Sequence, residues 1–393
     1  MKRNFLFTTW EGGGNIAPVI TMARKLAQNG HRVRLQADEV CRAEAEAAGL
    51  GFHPWVQAPN RLDRTPGSCP LRDWEAANPQ EGIQRVMDKI MFGPAQAYAR
   101  DVLAELEREP ADLVVTSEML PGVMAACESR RQPLAILAAN LCLYPLAGMP
   151  VFGPGLPPPR TADEAGMQQQ IRAGTLAMLN QGLPALNAAR AALGLPAIAC
   201  VLEQLRAARR YLLAASRVFD FPVSELPPGL EYIGPQLGEP GWVEPALSVG
   251  ARGVPLILVA FSTTYQAHEP VLQRILDAVA GLPVQAMVTL GQVTPGMLRA
   301  PANVRLVSSA PHSQVMPGAA LVVTHGGHGT VMRALQHHKP MLILPHGRDQ
   351  DENAVRVTER GAGLRLSAAA ATGEIRAAIQ RLLDEPAYAA AAS

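Results

Sequence analysis

The run Thr324-His325-Gly326-Gly327-His328-Gly329-Thr330 lies between an apolar stretch, 321–324, and a helix-like stretch, 331–337. Glycines let a backbone approach a ligand closely, and the first-turn amides of a helix have no partner inside it. Together they suit an anion, a phosphate above all. The same turn could be a plain tight connection, but an ordered set of polar and turn residues surrounds it. Ala310-Pro311-His312 precede it; Lys339-Pro340, Leu344-Pro345, Asp349-Gln350, Asn353-Ala354 and Gly361-Ala362-Gly363 follow. Asp349 also suits a helix N-cap, and His328, His337, His338 and His346 suit surface or packing positions.

Other groups able to do chemistry sit at strand ends. Phe261-Ser262-Thr263-Thr264 closes one apolar run with three hydroxyls. Glu11 lies in Thr8-Thr9-Trp10-Glu11-Gly12-Gly13-Gly14-Asn15, on a glycine-flanked loop, and Ser117-Glu118 follow Leu113-Val114-Val115-Thr116. A carboxylate in such a place can take a proton, and it can equally be a solvated side chain. Cys41, Cys69, Cys127, Cys142 and Cys200 form no Cys-x-x-Cys pair or Cys/His cluster, so no metal is expected. They read as reduced thiols of a cytoplasmic protein.

Alternating elements must carry these groups. Apolar runs at 5–9, 33–36, 113–116 and 134–138 alternate with amphipathic stretches at 16–28, at 39–48 and from about 122. A helical region, about 163–208, follows, with strand character at 211–214 and 232–233. Glycine and proline crowd 234–253, and a second series then begins, with runs at 256–261, 285–290, 304–307, 321–324 and 341–344. Strand and helix in repetition predict parallel sheets covered on both faces. Two such lobes predict a ligand in a cleft, outside the carboxyl ends of the strands.

Composition excludes other classes. The 393 residues hold 35 Lys and Arg against 34 Asp and Glu, with no dense basic stripe, so nucleic acid is not an expected partner. At 48% hydrophobic and 18% charged, the chain has ample material for a core. No apolar run approaches the ~20 residues that span a bilayer, so no integral membrane association is expected. The apolar run behind Met1-Lys2-Arg3 is interrupted at Trp10-Glu11 and reads as a first strand.

The motifs around the glycine turn resemble the donor signature of the UDP-glycosyltransferase-like family. Gly12-Gly13-Gly14-Asn15 and Gly347-Arg348-Asp349-Gln350 are similar to a bacterial natural-product subgroup. The resemblance extends over nearly the whole chain, most strongly from 303 to 366. It implies an α/β protein of GT-B fold, two doubly wound Rossmann-like lobes facing a cleft: 1–235 binding the acceptor, 236–253 linking, 254–393 binding the nucleotide sugar. It implies that His312 flanks the nucleobase and that His325, Gly326, Gly327, Gly329 and Thr330 hold the diphosphate. Ser262, Thr263 and Thr264 would reach the diphosphate as well, and Asp349 and Gln350 would bond sugar hydroxyls. The family's catalytic histidine is replaced here by Asn15, and the aspartate that orients it by Ser117, leaving Glu118 or Glu11 as the base and Asn15 to orient the acceptor.

The implied activity is inverting, metal-independent transfer of a sugar to a hydrophobic aromatic or phenolic small molecule, as an O- or C-glycoside. No cofactor is implied; UDP-glucose or a dTDP-sugar is a co-substrate, UDP favoured. Two other functions stand open on the same fold: a nucleotide-sugar 2-epimerase, and a nucleotide-sugar-binding or partner-activating protein without catalysis.

Overall fold

The computed structural model describes residues 1–223, 225–238 and 253–393, so most of the expected linker, from 239 to 252, lies outside the described residues. The described chain forms two compact units. The first holds Met1–Phe152 and residues 158–238; the second holds Gly153–Pro157 and residues 253–393.

In the first unit seven parallel strands are ordered β3-β2-β1-β4-β5-β6-β7. They are β1 (Asn4–Thr8), β2 (Arg32–Ala37), β3 (Gly51–Pro54), β4 (Leu113–Ser117), β5 (Leu134–Ala138), β6 (Arg210–Leu213) and β7 (Leu230–Tyr232). Successive side chains serve opposite faces of the sheet. Leu6, Val114 and Ile136 join one core with Tyr98 and Met124, while their neighbours Phe7, Val115 and Leu137 join another with Ile16 and Val19. The covering helices include Ile16–Gln28, Ala95–Arg108 and Pro121–Ser129. The expected helical region resolves into Ala162–Leu179, Leu183–Ala192 and a 3-10 stretch, Val201–Ala207. Pro184 falls in the first turn of its helix, where its missing N–H has no intrahelical partner to lose.

In the second unit six parallel strands are ordered β10-β9-β8-β11-β12-β13. They are β8 (Leu256–Ala260), β9 (Gln285–Thr289), β10 (Val304–Val307), β11 (Ala319–Thr324), β12 (Met341–Ile343) and β13 (Gly363–Arg365). Gly153 and Gly155 belong here because their amides donate to the buried Glu352 Oε1 at 2.9 and 2.7 Å.

Each sheet reverses its winding once, between β1 and β4 in the first unit and between β8 and β11 in the second. Loops diverge at such a point and leave a crevice at the carboxyl ends of the strands. The Gly12–Asn15 loop and Ser117-Glu118 occupy one of these points, and Ser262–Thr264 and the 325–327 turn occupy the other.

Candidate functional site

In the second unit β11 ends at Thr324, paired with Ala260 of β8 on one side and Ile343 of β12 on the other. The chain then turns through Gly326 at φ +96°, a left-handed conformation that glycine alone takes at no steric cost. A Cβ there would meet Ile343 Cγ2 at 2.8 Å, and one on Gly327 would lie 2.7 Å from His325 Nε2. The histidine ring is thus laid against the turn. Gly327 caps the helix His328–Gln336 without a side-chain hydrogen bond, and the space a Gly329 Cβ would take is open. First-turn amides and an imidazole nitrogen therefore converge on one spot.

Burial lowers the pKa of His325 to about 3, assisted by the charges of His346 and Arg348, so its ring is neutral at pH 7. Neutral rings stack behind it. His268, 1% exposed, packs edge-on against Phe261 and His346 at 5.1 and 4.7 Å between centroids, and burial lowers its pKa to about 2. The expected phosphate turn is therefore backed by neutral rings, with the His325 ring also hydrogen-bonded to the Ala260 backbone.

The other expected donor residues divide. Ser262 Oγ lies 2.9 Å from Thr264 Oγ1 and accepts from Thr264 N at 3.1 Å, so the hydroxyl loop is closed on itself at the end of β8. Thr263 lies between them, and His312 opens a short helix, His312–Val315, half-buried beyond β10. Asp349 is half-buried, its Oδ2 accepting from Asn353 Nδ2 at 2.9 Å. Gln350 differs from expectation. It is 1% exposed; its Oε1 accepts from His346 N at 2.6 Å and its Nε2 donates to Gln266 at 3.2 Å. Because it begins the helix Gln350–Glu359 on the buried side, its amide is held between the His346 backbone and Gln266.

In the first unit Asn15 also departs from expectation. Its Oδ1 accepts from Gly12 N at 3.1 Å, and its Nδ2 donates to Trp10 O at 2.6 Å and Thr9 Oγ1 at 3.2 Å. Both amide hydrogens are used, so Asn15 pins its own loop. Glu11 is not a mobile carboxylate either. It is 2% exposed, takes Gly13 N at 2.7 Å on Oε1 and Arg64 Nη2 at 2.8 Å on Oε2. Its own amide donates to Asp38 at 2.7 Å, and burial raises the Asp38 pKa to about 6.

β4 ends at Ser117, whose Oγ accepts from Met119 N at 3.3 Å, so Glu118 leaves the strand and its side chain is freed from strict alternation. Its carboxylate accepts from the Tyr211 hydroxyl and, at 3.3 Å, from Leu143 N. Burial raises the Tyr211 pKa well above the ordinary phenol value, so that hydroxyl stays a donor. Both of these partners of Glu118 are neutral, whereas Glu11 is paired with a guanidinium.

Sequence reasoning named Asn353 and Phe261 within their motifs but gave neither a place in the second unit's site, and it passed over His268. Asn353, fully buried, donates to Gly326 O at 2.9 Å and lies 3.0 Å from His328 Nδ1, tying the turn to the helix Gln350–Glu359. Its spacing of four from Asp349 places both on one helix face and was the available signal. His268 carries no local motif; only the pairing of β8 with β11 brings it and Phe261 to the turn.

Among the described residues no group of three or more His, Cys, Asp or Glu is placed to hold a metal, and no helix is long and apolar enough to cross a membrane. The family model described as "Erythromycin biosynthesis protein CIII-like, C-terminal domain" matches residues 273–393. The 4'-demethylrebeccamycin synthase of Lentzea aerocolonigenes is 28% identical over 99% of this chain and 93% of its own. Among solved structures, the glycotransferase of kitacinnamycin superposes with a TM-score of 0.76 at 18% identity, over 100% of this chain and 93% of that one. The spinosyn rhamnosyltransferase SpnG complexed with thymidine diphosphate gives a TM-score of 0.70 at 16% identity, over 100% and 94%. Both superpositions bear out the two-lobed GT-B fold.

Proposed function

We propose, for a chain that belongs to the nucleotide-sugar-dependent glycosyltransferases of natural-product biosynthesis, that the donor's diphosphate sits on the 325–330 turn and that the sugar passes with inversion to a readily ionised aromatic acceptor. The observation that carries the donor half is the convergence of His325 Nε2 and the uncapped start of the helix His328–Gln336. As the bond from the sugar's anomeric carbon to the phosphate oxygen breaks, charge grows on the diphosphate. Fixed amides, joined by the single N–H of neutral His325 once it turns from the Ala260 backbone, stabilise that charge with no need for a divalent ion. Thymidine diphosphate on a structural neighbour makes a dTDP-sugar as reasonable a donor as a UDP-sugar.

The acceptor half rests on the weakness of the bases. An aliphatic alcohol ionises near the pKa of water, ~15.7, and a phenol near ~10. Six units correspond to roughly 8 kcal/mol, much of what a strong base must otherwise supply. Asn15 cannot take a proton, and Glu11 is held by Arg64. Glu118, which accepts from the Tyr211 hydroxyl and Leu143 N, is the base we favour. Phenols, enols or activated aromatic carbons then make the best acceptors, giving O- or C-glycosides.

Replacing His325 by Ala tests the donor half. Loss of one preorganised donor should lower kcat by about 10²- to 10³-fold, roughly 2.7–4 kcal/mol. A variant within threefold of wild type in kcat would remove the diphosphate from this turn.

A further inference from the structure

The donor turn, as built, has an electrostatic gap. A nucleoside diphosphate leaves with more negative charge than it arrived with, while His325 and His268 are neutral and the helix amides bring only partial charges. A full positive charge at the same carboxyl edge would be worth more than another dipole.

Arg348 is in the right place. It follows Gly347, φ +117°, and itself has φ +58°, a left-handed conformation that a non-glycine residue adopts at some cost. Strain of this kind persists where the surrounding structure imposes it, and it gathers at ligand clamps. These two residues fold the loop after β12 back toward the loop after β8, and Arg348 Nη1 donates to Thr264 Oγ1 at 3.0 Å. Thr264 in turn binds Ser262, at the point where the sheet reverses its winding beside the 325–327 turn. The residue is exposed, so its guanidinium can meet a ligand without being dug out of the core. Its field already reaches the turn: the Arg348 charge is among the causes that keep both His325 and His268 unprotonated.

We propose that Arg348 supplies the full positive charge that this site sets against the donor's diphosphate, its guanidinium carried by the left-handed Gly347-Arg348 turn onto the Thr264 edge of the phosphate site. This rests on the diphosphate reading of the 325–330 turn. The planar fork of an arginine suits two phosphate oxygens at once, which an ammonium does not match.

The test is titration of the bare nucleoside diphosphates, UDP and dTDP, into wild type, Arg348→Gln and Arg348→Lys, with the sugar donor's KM and kcat measured alongside. The expected result is at least tenfold weaker binding of the bare diphosphate to Arg348→Gln, a partial recovery in Arg348→Lys, and a shallower dependence of affinity on salt than in wild type. Bare-diphosphate affinity within twofold of wild type, with a changed preference among sugars, would overturn the inference and make Arg348 a reader of the sugar. Tight wild-type binding that His325→Ala and Arg348→Gln both leave unchanged would overturn the diphosphate reading itself. Unchanged melting temperature in Arg348→Gln, expected for an exposed side chain, separates these results from misfolding.

Discussion

At the scale of single residues, the positions that could do chemistry were legible from their types, and their commitments were not. Asn15 and Gln350 each carry an amide that a sequence reading leaves available, yet each has both ends engaged by backbone or buried side chains. An amide's use depends on which backbone groups the fold leaves unpaired around it, and that is non-local information. The two carboxylates separate on the same ground. Glu11→Gln breaks a buried ion pair with Arg64 and should lower stability by about 1–3 kcal/mol while changing little in how rate depends on acceptor acidity. Glu118→Gln should instead slow transfer most for the least acidic phenol, because that substrate relies most on proton removal. Rates for both variants across phenols of graded pKa check this; an equal loss at every phenol for Glu118→Gln would take the base role away from it.

At the scale of elements, β11, the turn and the helix beginning at His328 were readable from an apolar run followed by glycines, because each local choice agrees with its neighbours. β3 and β13 were not read as strands; each opens on a glycine two residues after another, Gly49 and Gly51, Gly361 and Gly363, and such a pair reads as a turn. The helix Gln350–Glu359 opens with two polar side chains, Asp349 at its N-cap and Gln350, that the fold holds differently. Gln350→Ala removes the partner of His346 N and of Gln266, so it should lower the melting temperature and weaken donor binding together. Asp349→Ala, at a half-buried position that accepts from Asn353, should alter discrimination among sugar donors with a smaller effect on stability. Thermal unfolding and kcat/KM for several sugar donors distinguish them, and matching changes in both variants would contradict the division.

At the scale of the whole molecule, two doubly wound units were legible from alternation, but the excursion of Gly153–Pro157 into the second unit was not, since nothing local in those residues announces Glu352 as their acceptor. The units also differ in how they meet acid. His268 and His325 are held neutral in the second unit, with folded pKa values far below the ordinary histidine value, so the unfolded chain binds more protons below about pH 6.5. Their stabilisation is full above that pH and is lost as pH falls. Between pH 6.5 and 5 each should withdraw roughly 2 kcal/mol from the second unit. Hydrogen exchange at the two pH values reads this directly, and equal protection of the second unit at both would mean the rings are not buried as described.

The central claim is sugar transfer from a nucleoside diphosphate held by amides, a neutral histidine and an arginine, with no metal at the reaction centre. Its most direct test is one reaction in excess EDTA, with UDP-glucose or a dTDP-sugar and an acidic phenol, followed by mass spectrometry and by NMR of the anomeric centre. The account predicts one glycoside formed for each nucleoside diphosphate released, with the anomeric configuration inverted. Retained configuration, or turnover that appears only when magnesium or manganese is restored, would contradict it.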